Sequence, residues 1–350
     1  MQRIEGFSCQ LISLPARYYA WRMGGNAISL MSEFDAVLSE TFDVIIATSM
    51  VDLASLKGFY PHFLDSTVIL YCHENQFEYP AHKHLDKAAK LQESSNRLTA
   101  QMRHIYAALA ADRVIFNSDF NRDTFLTGCK LLLKKMPDFR LDATSLIENK
   151  SSVVGIPLAQ DINVSISSQK IPYKAHSPLR IVWAARWEFD KGMQALLAIA
   201  DSLKNAEVAV EWLILGQQFR HMPAVAEQFL AQHDSDILQA GFVESREEYL
   251  NLLNSADIVL STSLHEFYGI AVLEAVACGC WPVLPGHQVY PEIFGKQHLY
   301  QDANGAAQQI KDIYLNGING KLCLSDDYLN TEYMIQQYLD VIDDVLQNKY

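Results

Sequence analysis

Short apolar runs rich in β-branched residues alternate along this chain with segments whose apolar positions recur every three to four residues. The first kind of run predicts buried strands, the second predicts helices, and their alternation predicts parallel sheets covered by helices on both faces. Strands are expected in the first half at Cys9–Leu14, Asp43–Thr48, Thr67–Cys72, Arg113–Asn117 and Ser152–Ile156, with the clearest helical periodicity over Gln92–Ala111 and Asp119–Leu133. In the second half they are expected at Arg180–Ala185, Val210–Leu215, Leu238–Val243, Asp257–Thr262, Trp281–Leu284 and His298–Gln301. Between the halves, Leu158–Pro178 is polar and broken by Pro172 and Pro178, the composition of a linker. The pattern gives an N-terminal α/β domain over 1–159, a linker over 160–178, a C-terminal α/β domain over 179–324, and an acidic helical tail over 325–350 able to pack back across the hinge.

The 350 residues suit two such domains, each with its own core. A formal charge of −13 argues against a surface that attracts nucleic acid as a whole, so any such partner needs a local cluster of cations. Arg17, Arg22, Arg97 and Arg103 are expected to form one near the cleft entrance. The N-terminus has no basic segment followed by an apolar run, and no apolar stretch reaches bilayer-spanning length, so a cytoplasmic protein is expected. The six cysteines are scattered, and Cys278 and Cys280 read as free buried thiols.

Open α/β sheets bind ligands beyond the carboxyl ends of their strands, so chemistry should follow strands directly. After Asp257–Thr262 comes His265-Glu266-Phe267-Tyr268-Gly269-Ile270, which opens a helix carrying Glu274. Free amides at such a helix start suit a diphosphate, and carboxylates suit paired sugar hydroxyls. Surface glutamates flanking a buried helix would give the same letters. After the first strand of this half, Arg186 and Lys191 offer cations for a leaving diphosphate, although a solvated charge pair explains them too. Gly216 ends the next strand and permits close approach of a ligand or an ordinary turn. All three features fall at strand ends of one sheet.

Together, Arg186 to Gly192, the Gly216 turn, and Glu266-x7-Glu274 running into Gly279 and Pro282 resemble the retaining family 4 glycosyltransferases of GT-B fold. The resemblance implies two Rossmann-like, doubly wound domains facing a cleft, with Arg186 and Lys191 on the donor's diphosphate, Glu266 on the transferred sugar and Glu274 on the ribose. Gly216, Phe267, Tyr268, Gly269 and Ile270 complete the expected donor site.

In the first half, Leu14-Pro15-Ala16-Arg17, Trp21-Arg22-Met23-Gly24-Gly25, Asp52 to Gly58, Tyr71 to Pro80 and Phe116-Asn117-Ser118 with Asn121-Arg122 resemble the tRNA-queuosine α-mannosyltransferase family. What this implies is transfer of mannose from GDP-mannose to the cyclopentenediol of queuosine in a tRNA anticodon, with a nucleotide-sugar donor and a tRNA acceptor as partners. Read from the residues alone, His73, Glu74, Asn75 and Gln76 follow a buried strand and point into the cleft, as acceptor contacts or as a satisfied polar network. The resemblance adds Asn117 and Ser118 to the acceptor side. Arg17, Trp21 and Arg22 could supply phosphate contact and a stacking surface, or simple packing. His73 is the candidate base if the reaction uses one, since a leaving phosphate oxygen can also accept the acceptor's proton. Family members usually begin with an earlier strand and a Gly-Gly-Ser-His turn, whereas this chain starts almost directly in what looks like the second strand. Neither a cofactor nor a catalytic metal is expected; Asp234-Ser235-Asp236 has an Asp-x-Asp pattern but lies between a helix and a strand. A family 4 enzyme with a lipid or polysaccharide acceptor, and a non-catalytic nucleotide or RNA binder, are the competing readings.

Overall fold

The computed structural model describes residues 6–15, 17, 19–78, 87–137, 140–159, 161–162, 173–217, 223–319, 322–324 and 326–347. Residues 79–80 of the first-half motif and most of the expected linker, 160 and 163–172, lie outside these. The chain divides into two compact units, one comprising the residues up to Asn117, Asn121–Val153 and those from Leu339, the other Ser118–Phe120 and Val154–Tyr338.

The first unit carries a parallel sheet of four strands, β1 (Val44–Thr48), β2 (Thr67–Cys72), β3 (Arg113–Phe116) and β4 (Ser151–Val153), in the order β1-β2-β3-β4. The run Val68-Ile69-Leu70 is fully buried at its centre, as an apolar run without alternation requires. Asp112 locks the neighbouring strand in register, accepting from the Val68 amide at 2.7 Å while its own amide donates to the Val68 carbonyl at 2.8 Å. Helix α1 (Tyr19–Leu38) precedes β1, and α2 (Leu53–Phe59), α3 (Lys87–Ala110), α4 (Asp119–Leu133) and α5 (Ala143–Glu148) connect the strands. Asp52 and Asp142 cap α2 and α5, accepting from the Ser55 and Ser145 amides at 3.1 Å each.

The expected strand at Cys9–Leu14 is not formed; these residues are coil outside the sheet. Leu11 is 75% exposed, and Ile12 and Leu14 reach only the small cluster formed by α1 and α2. An apolar segment becomes a strand only if its backbone finds a sheet edge, and this one finds a helix surface instead. Helix α1 contains the glycine pair Gly24-Gly25 and is kinked at Gly25, which hid its periodicity in the sequence.

The second unit has six parallel strands, β5 (Leu179–Ala184), β6 (Val210–Leu215), β7 (Ile237–Gly241), β8 (Ile258–Leu260), β9 (Trp281–Pro285) and β10 (Leu299–Tyr300), ordered β10-β9-β8-β5-β6-β7. The order reverses between β5 and β8, placing the topological switch point between their carboxyl ends. Alternation along β5 sends Ile181 and Trp183 to a core shared with α6 (Met193–Asn205), α7 (Ala224–His233) and α11 (Ala303–Asn316). Val182 goes to the opposite core, shared with α8 (Arg246–Ser255) and α9 (Ile270–Ala277). Cys278 and Cys280 are free thiols in that second core, as expected. The short helix α10 (Tyr290–Ile293) follows β9, and α12 (Thr331–Gln347) ends the chain. Among the described residues no helix is long and apolar enough to cross a membrane.

Candidate active site

The loops after β5 and β8 meet at the switch point and are stitched together. Gly192 adopts φ 70° at the start of α6, and a Cβ there would lie 1.9 Å from the Thr262 carbonyl oxygen, so only glycine fits. Thr262 Oγ1 donates to the Lys191 carbonyl at 2.8 Å and accepts from Trp183 Nε1 at 2.9 Å. The Leu264 amide donates to the Asp190 carbonyl at 2.7 Å. Gly216, with φ 141°, is held by the same logic: a Cβ would lie 1.9 Å from the Ala185 carbonyl oxygen. Gly216 thus permits a close approach to the adjacent strand end.

This stitching brings Lys191 and Glu266 together. Lys191 Nζ donates to the His265 carbonyl at 3.0 Å and lies 3.3 Å from Glu266 Oε2 and 3.2 Å from Asp190 Oδ2. The other oxygen of Glu266 accepts from the amides of Phe267, Tyr268 and Gly269 at 3.2, 3.4 and 3.1 Å. Glu266 therefore fills the turn that precedes α9, and the amides left for an anion are those of the first helical turn from Ile270, which have no intrahelical acceptor. Burial, and next the charge of Lys191, push the His265 imidazole below its usual range. Arg186 is half exposed and loosely paired with Glu188 at 3.4 Å.

The side chains of Phe267 and Tyr268 are buried. Tyr268 donates its hydroxyl to the Ile156 carbonyl at 3.1 Å, and Phe267 packs against His265 at 4.7 Å between ring centroids. Beneath Gly269, which has φ 79°, lies the Tyr290 ring, whose hydroxyl is bonded to Ser261 Oγ at 2.8 Å. Ile270 is exposed. Ser118, which groups with this unit, donates to the Phe267 carbonyl at 2.7 Å.

Glu274 sits on the face of α9 turned to α8. Its Oε1 accepts from Arg246 Nη2 at 2.8 Å, and its Oε2 accepts from the Tyr249 hydroxyl at 3.1 Å. Burial and the Glu274 charge hold the Tyr249 phenol well above its ordinary range, so it remains a donor. Arg246 also donates from Nε to Asp161 Oδ2 at 3.0 Å. The sequence reading missed Arg246 and Tyr249. The signal was Ser245-x-x-Glu248, where Ser245 caps α8 by accepting from the Glu248 amide at 3.2 Å and so sets both residues on one face.

In the first unit, Asn75 and Asn117 belong to a buried amide network. Asn75 Nδ2 donates to Asn121 Oδ1 at 3.0 Å and to Thr124 Oγ1 at 2.9 Å, while its oxygen accepts from the Phe77 amide at 2.9 Å. Asn117 Nδ2 donates to the His73 carbonyl at 3.0 Å, and Asn121 Nδ2 to Asn117 Oδ1 at 2.8 Å. These amides shape the turn after β2 rather than reach outward. What the turn presents is half-buried His73, 3.4 Å from Ser49 Oγ, with Glu74, whose Oε1 accepts from Gln76 Nε2 at 3.3 Å. Of the four arginines expected to cluster, two make contacts to other parts of their own unit. Arg97 donates to the Phe77 carbonyl at 2.9 Å and Arg103 pairs with Asp52 at 3.6 Å, both holding their own unit together. Arg22 donates to the Pro15 carbonyl, Arg17 is exposed, and Trp21 is 71% exposed on α1.

Two parallel α/β units, one with a Rossmann strand order and a cation–carboxylate site at its switch point, define a glycosyltransferase of GT-B fold. Solved structures share that fold: a trehalose-6-phosphate synthase from Burkholderia multivorans (TM-score 0.64, 12% identity, 97% of this chain and 79% of that one) and a glycosyltransferase from Rickettsia africae (0.54, 14%, 97% and 85%). Residues 167–316 match glycosyl transferases group 1, and residues 1–158 match the N-terminal region of tRNA-queuosine alpha-mannosyltransferases. A Drosophila melanogaster protein described as tRNA-queuosine alpha-mannosyltransferase is 32% identical over 318 residues, covering 88% of this chain and 80% of the relative. The chain belongs to the tRNA-queuosine alpha-mannosyltransferase family. A GDP-mannose:cellobiosyl-diphosphopolyprenol alpha-mannosyltransferase of Xanthomonas oryzae is also similar, 25% identical over 105 residues, or 30% of this chain and 28% of the relative.

Proposed function

We propose that this protein transfers mannose from GDP-mannose to the cyclopentenediol of queuosine in a tRNA anticodon, with retention at the anomeric carbon. Family membership across both units supports the acceptor, since the match includes residues 1–158 as well as the donor-side unit. The observation that carries the chemistry is the convergence of Lys191 and Glu266 at the switch point, with Arg186 on the same loop as Lys191.

In this reading the nucleoside diphosphate departs from the anomeric carbon while Arg186 and the first-turn amides of α9 take up its growing charge. The acceptor hydroxyl forms the new glycosidic bond on the same face. Its proton passes to the departing phosphate oxygen, or to His73 if the protein supplies the base. Glu266, held by Lys191 and three amides, orients the sugar, and Glu274 accepts from the ribose. No metal is assigned a role.

Incubation of queuosine-containing tRNA with the full-length protein and a panel of sugar nucleotides, followed by nucleoside mass spectrometry, tests the proposal. The expected product is queuosine heavier by one hexose with GDP-mannose alone. Transfer only to polyprenyl diphosphate acceptors, or binding without turnover, would refute it.

A further inference from the structure

We propose that Arg246, together with Tyr249, is a positioning residue that presents the Glu274 carboxylate to the donor's ribose and so gives the site its preference for ribonucleotides over deoxyribonucleotides. The inference rests on the assignment of Glu274 to the ribose made above.

A carboxylate on a helix turns freely about its last torsion unless both oxygens are engaged. In Glu274 they are: Arg246 Nη2 holds Oε1 at 2.8 Å and the Tyr249 hydroxyl holds Oε2 at 3.1 Å. Two donors on different oxygens fix the plane of the group, and since a carboxylate offers about four acceptor positions, roughly two are left for a diol. The ordering is complete before the nucleotide arrives, so binding does not have to supply it. Arg246 is itself fixed. Its Nε and Nη2 reach Asp161 at 3.0 and 3.4 Å, and its guanidinium lies 5.3 Å from the centre of the Tyr249 ring.

Charge points the same way. An unpaired carboxylate next to a diphosphate would repel it, whereas Glu274 is paired with Arg246, a cation it shares with Asp161, so its repulsion is reduced. Asp161 lies on the segment between β4 and β5, flanked by Leu158 and Ile162, which are buried in the core behind α9. The support for Glu274 therefore comes from a stretch far from it in sequence and anchored by its own packing.

The test uses the full-length protein and three probes, GDP, 2′-deoxy-GDP and 3′-deoxy-GDP, with affinities measured by calorimetry. The wild type should bind GDP about tenfold more tightly than at least one deoxy analogue, the scale of one hydrogen bond to a charged group. Arg246→Ala and Tyr249→Phe should lose most of that ratio, and Arg246→Lys should keep part of it. In steady state, donor KM should rise more than kcat falls. The double variant Arg246→Ala/Glu274→Gln should be no worse than Glu274→Gln alone. If Arg246→Ala weakens all three probes equally and keeps the ratio, the residue is merely structural and the proposal is overturned. Should that variant fail to fold, the ratios of Arg246→Lys and Tyr249→Phe decide in the same way. If Glu274→Gln leaves both GDP affinity and the ratio untouched, the ribose assignment itself fails.

Discussion

The ammonium of Lys191 lies between two carboxylates, 3.3 Å from Glu266 Oε2 and 3.2 Å from Asp190 Oδ2. One cation facing two anions has little charge to spare for a diphosphate. Two residues that looked equivalent in the sequence thus stand in different settings: Arg186 is half exposed and loosely paired with Glu188, whereas Lys191 is held between Asp190 and Glu266, and the proposed reaction accordingly gives the leaving group to Arg186.

Steady-state kinetics should show that separation. Arg186→Ala should lower kcat roughly a hundredfold with a modest change in donor KM, because the lost interaction grows in the transition state. Lys191→Ala should damage KM and kcat together, since it leaves Asp190 and Glu266 facing each other uncompensated. Equal losses confined to KM in both variants would contradict the assignment.

Gly192→Ala should destabilise the second unit by roughly 2–4 kcal/mol, combining a left-handed alanine with a backbone overlap. Thermal unfolding followed by tryptophan fluorescence should show a clear drop in Tm, since Trp183 and Trp212 are buried in that unit's core. An unchanged Tm would mean that the two loops are not stitched as described.

A third expectation concerns acid. His104 is buried against Phe125, its Nε2 lies 3.3 Å from the Cys72 sulfur, and burial, aided by His73, pulls its pKa down to about 3. The unfolded chain takes up this proton below pH ~6.5 and the folded one does not until about 3, so stability is intact above 6.5 and declines as pH falls between the two. The contribution is about 1.4 kcal/mol per pH unit in that window. Urea denaturation at pH 7 and pH 5 should show a smaller loss for His104→Leu than for the wild type; equal losses would refute the account.

On the tRNA side, a phosphate contact reveals itself in the salt dependence of binding. Arg17→Ala should lower the slope of log Kd against log salt by about one. Arg103→Ala should change it less, because that side chain is already paired with Asp52. The reverse pattern, measured by filter binding from 50 to 200 mM salt, would move the footprint onto α3.

Strands were the legible part of this sequence, because an apolar run such as Thr67–Cys72 can be satisfied only in the middle of a sheet. Helix α4 was equally clear, its periodicity being uninterrupted. Cys9–Leu14 misled because an apolar run reports a need for burial and says nothing about whether a sheet edge is available. In the candidate site, strand ends marked Arg186, Lys191 and Glu266, and the helix that follows marked Glu274, since the topology of a parallel sheet fixes where such residues emerge. Their partners were not marked. Asp190 and Tyr249 resemble any surface acid and any core aromatic until distance brings them to Lys191 and Glu274.

The contacts of Gly192 with Thr262 and of Gly216 with Ala185 have a consequence for how this site can diverge. Main chain meets main chain at both places, so no side-chain replacement can deepen or widen the floor without breaking the sheet. Under the proposed reading, variation in donor preference is left to rim positions such as exposed Ile270 at the start of α9. Lineages adapting this scaffold to another nucleotide or sugar should therefore differ at those rim positions while both glycines persist, and laboratory libraries aimed at new donors are best confined to the same positions.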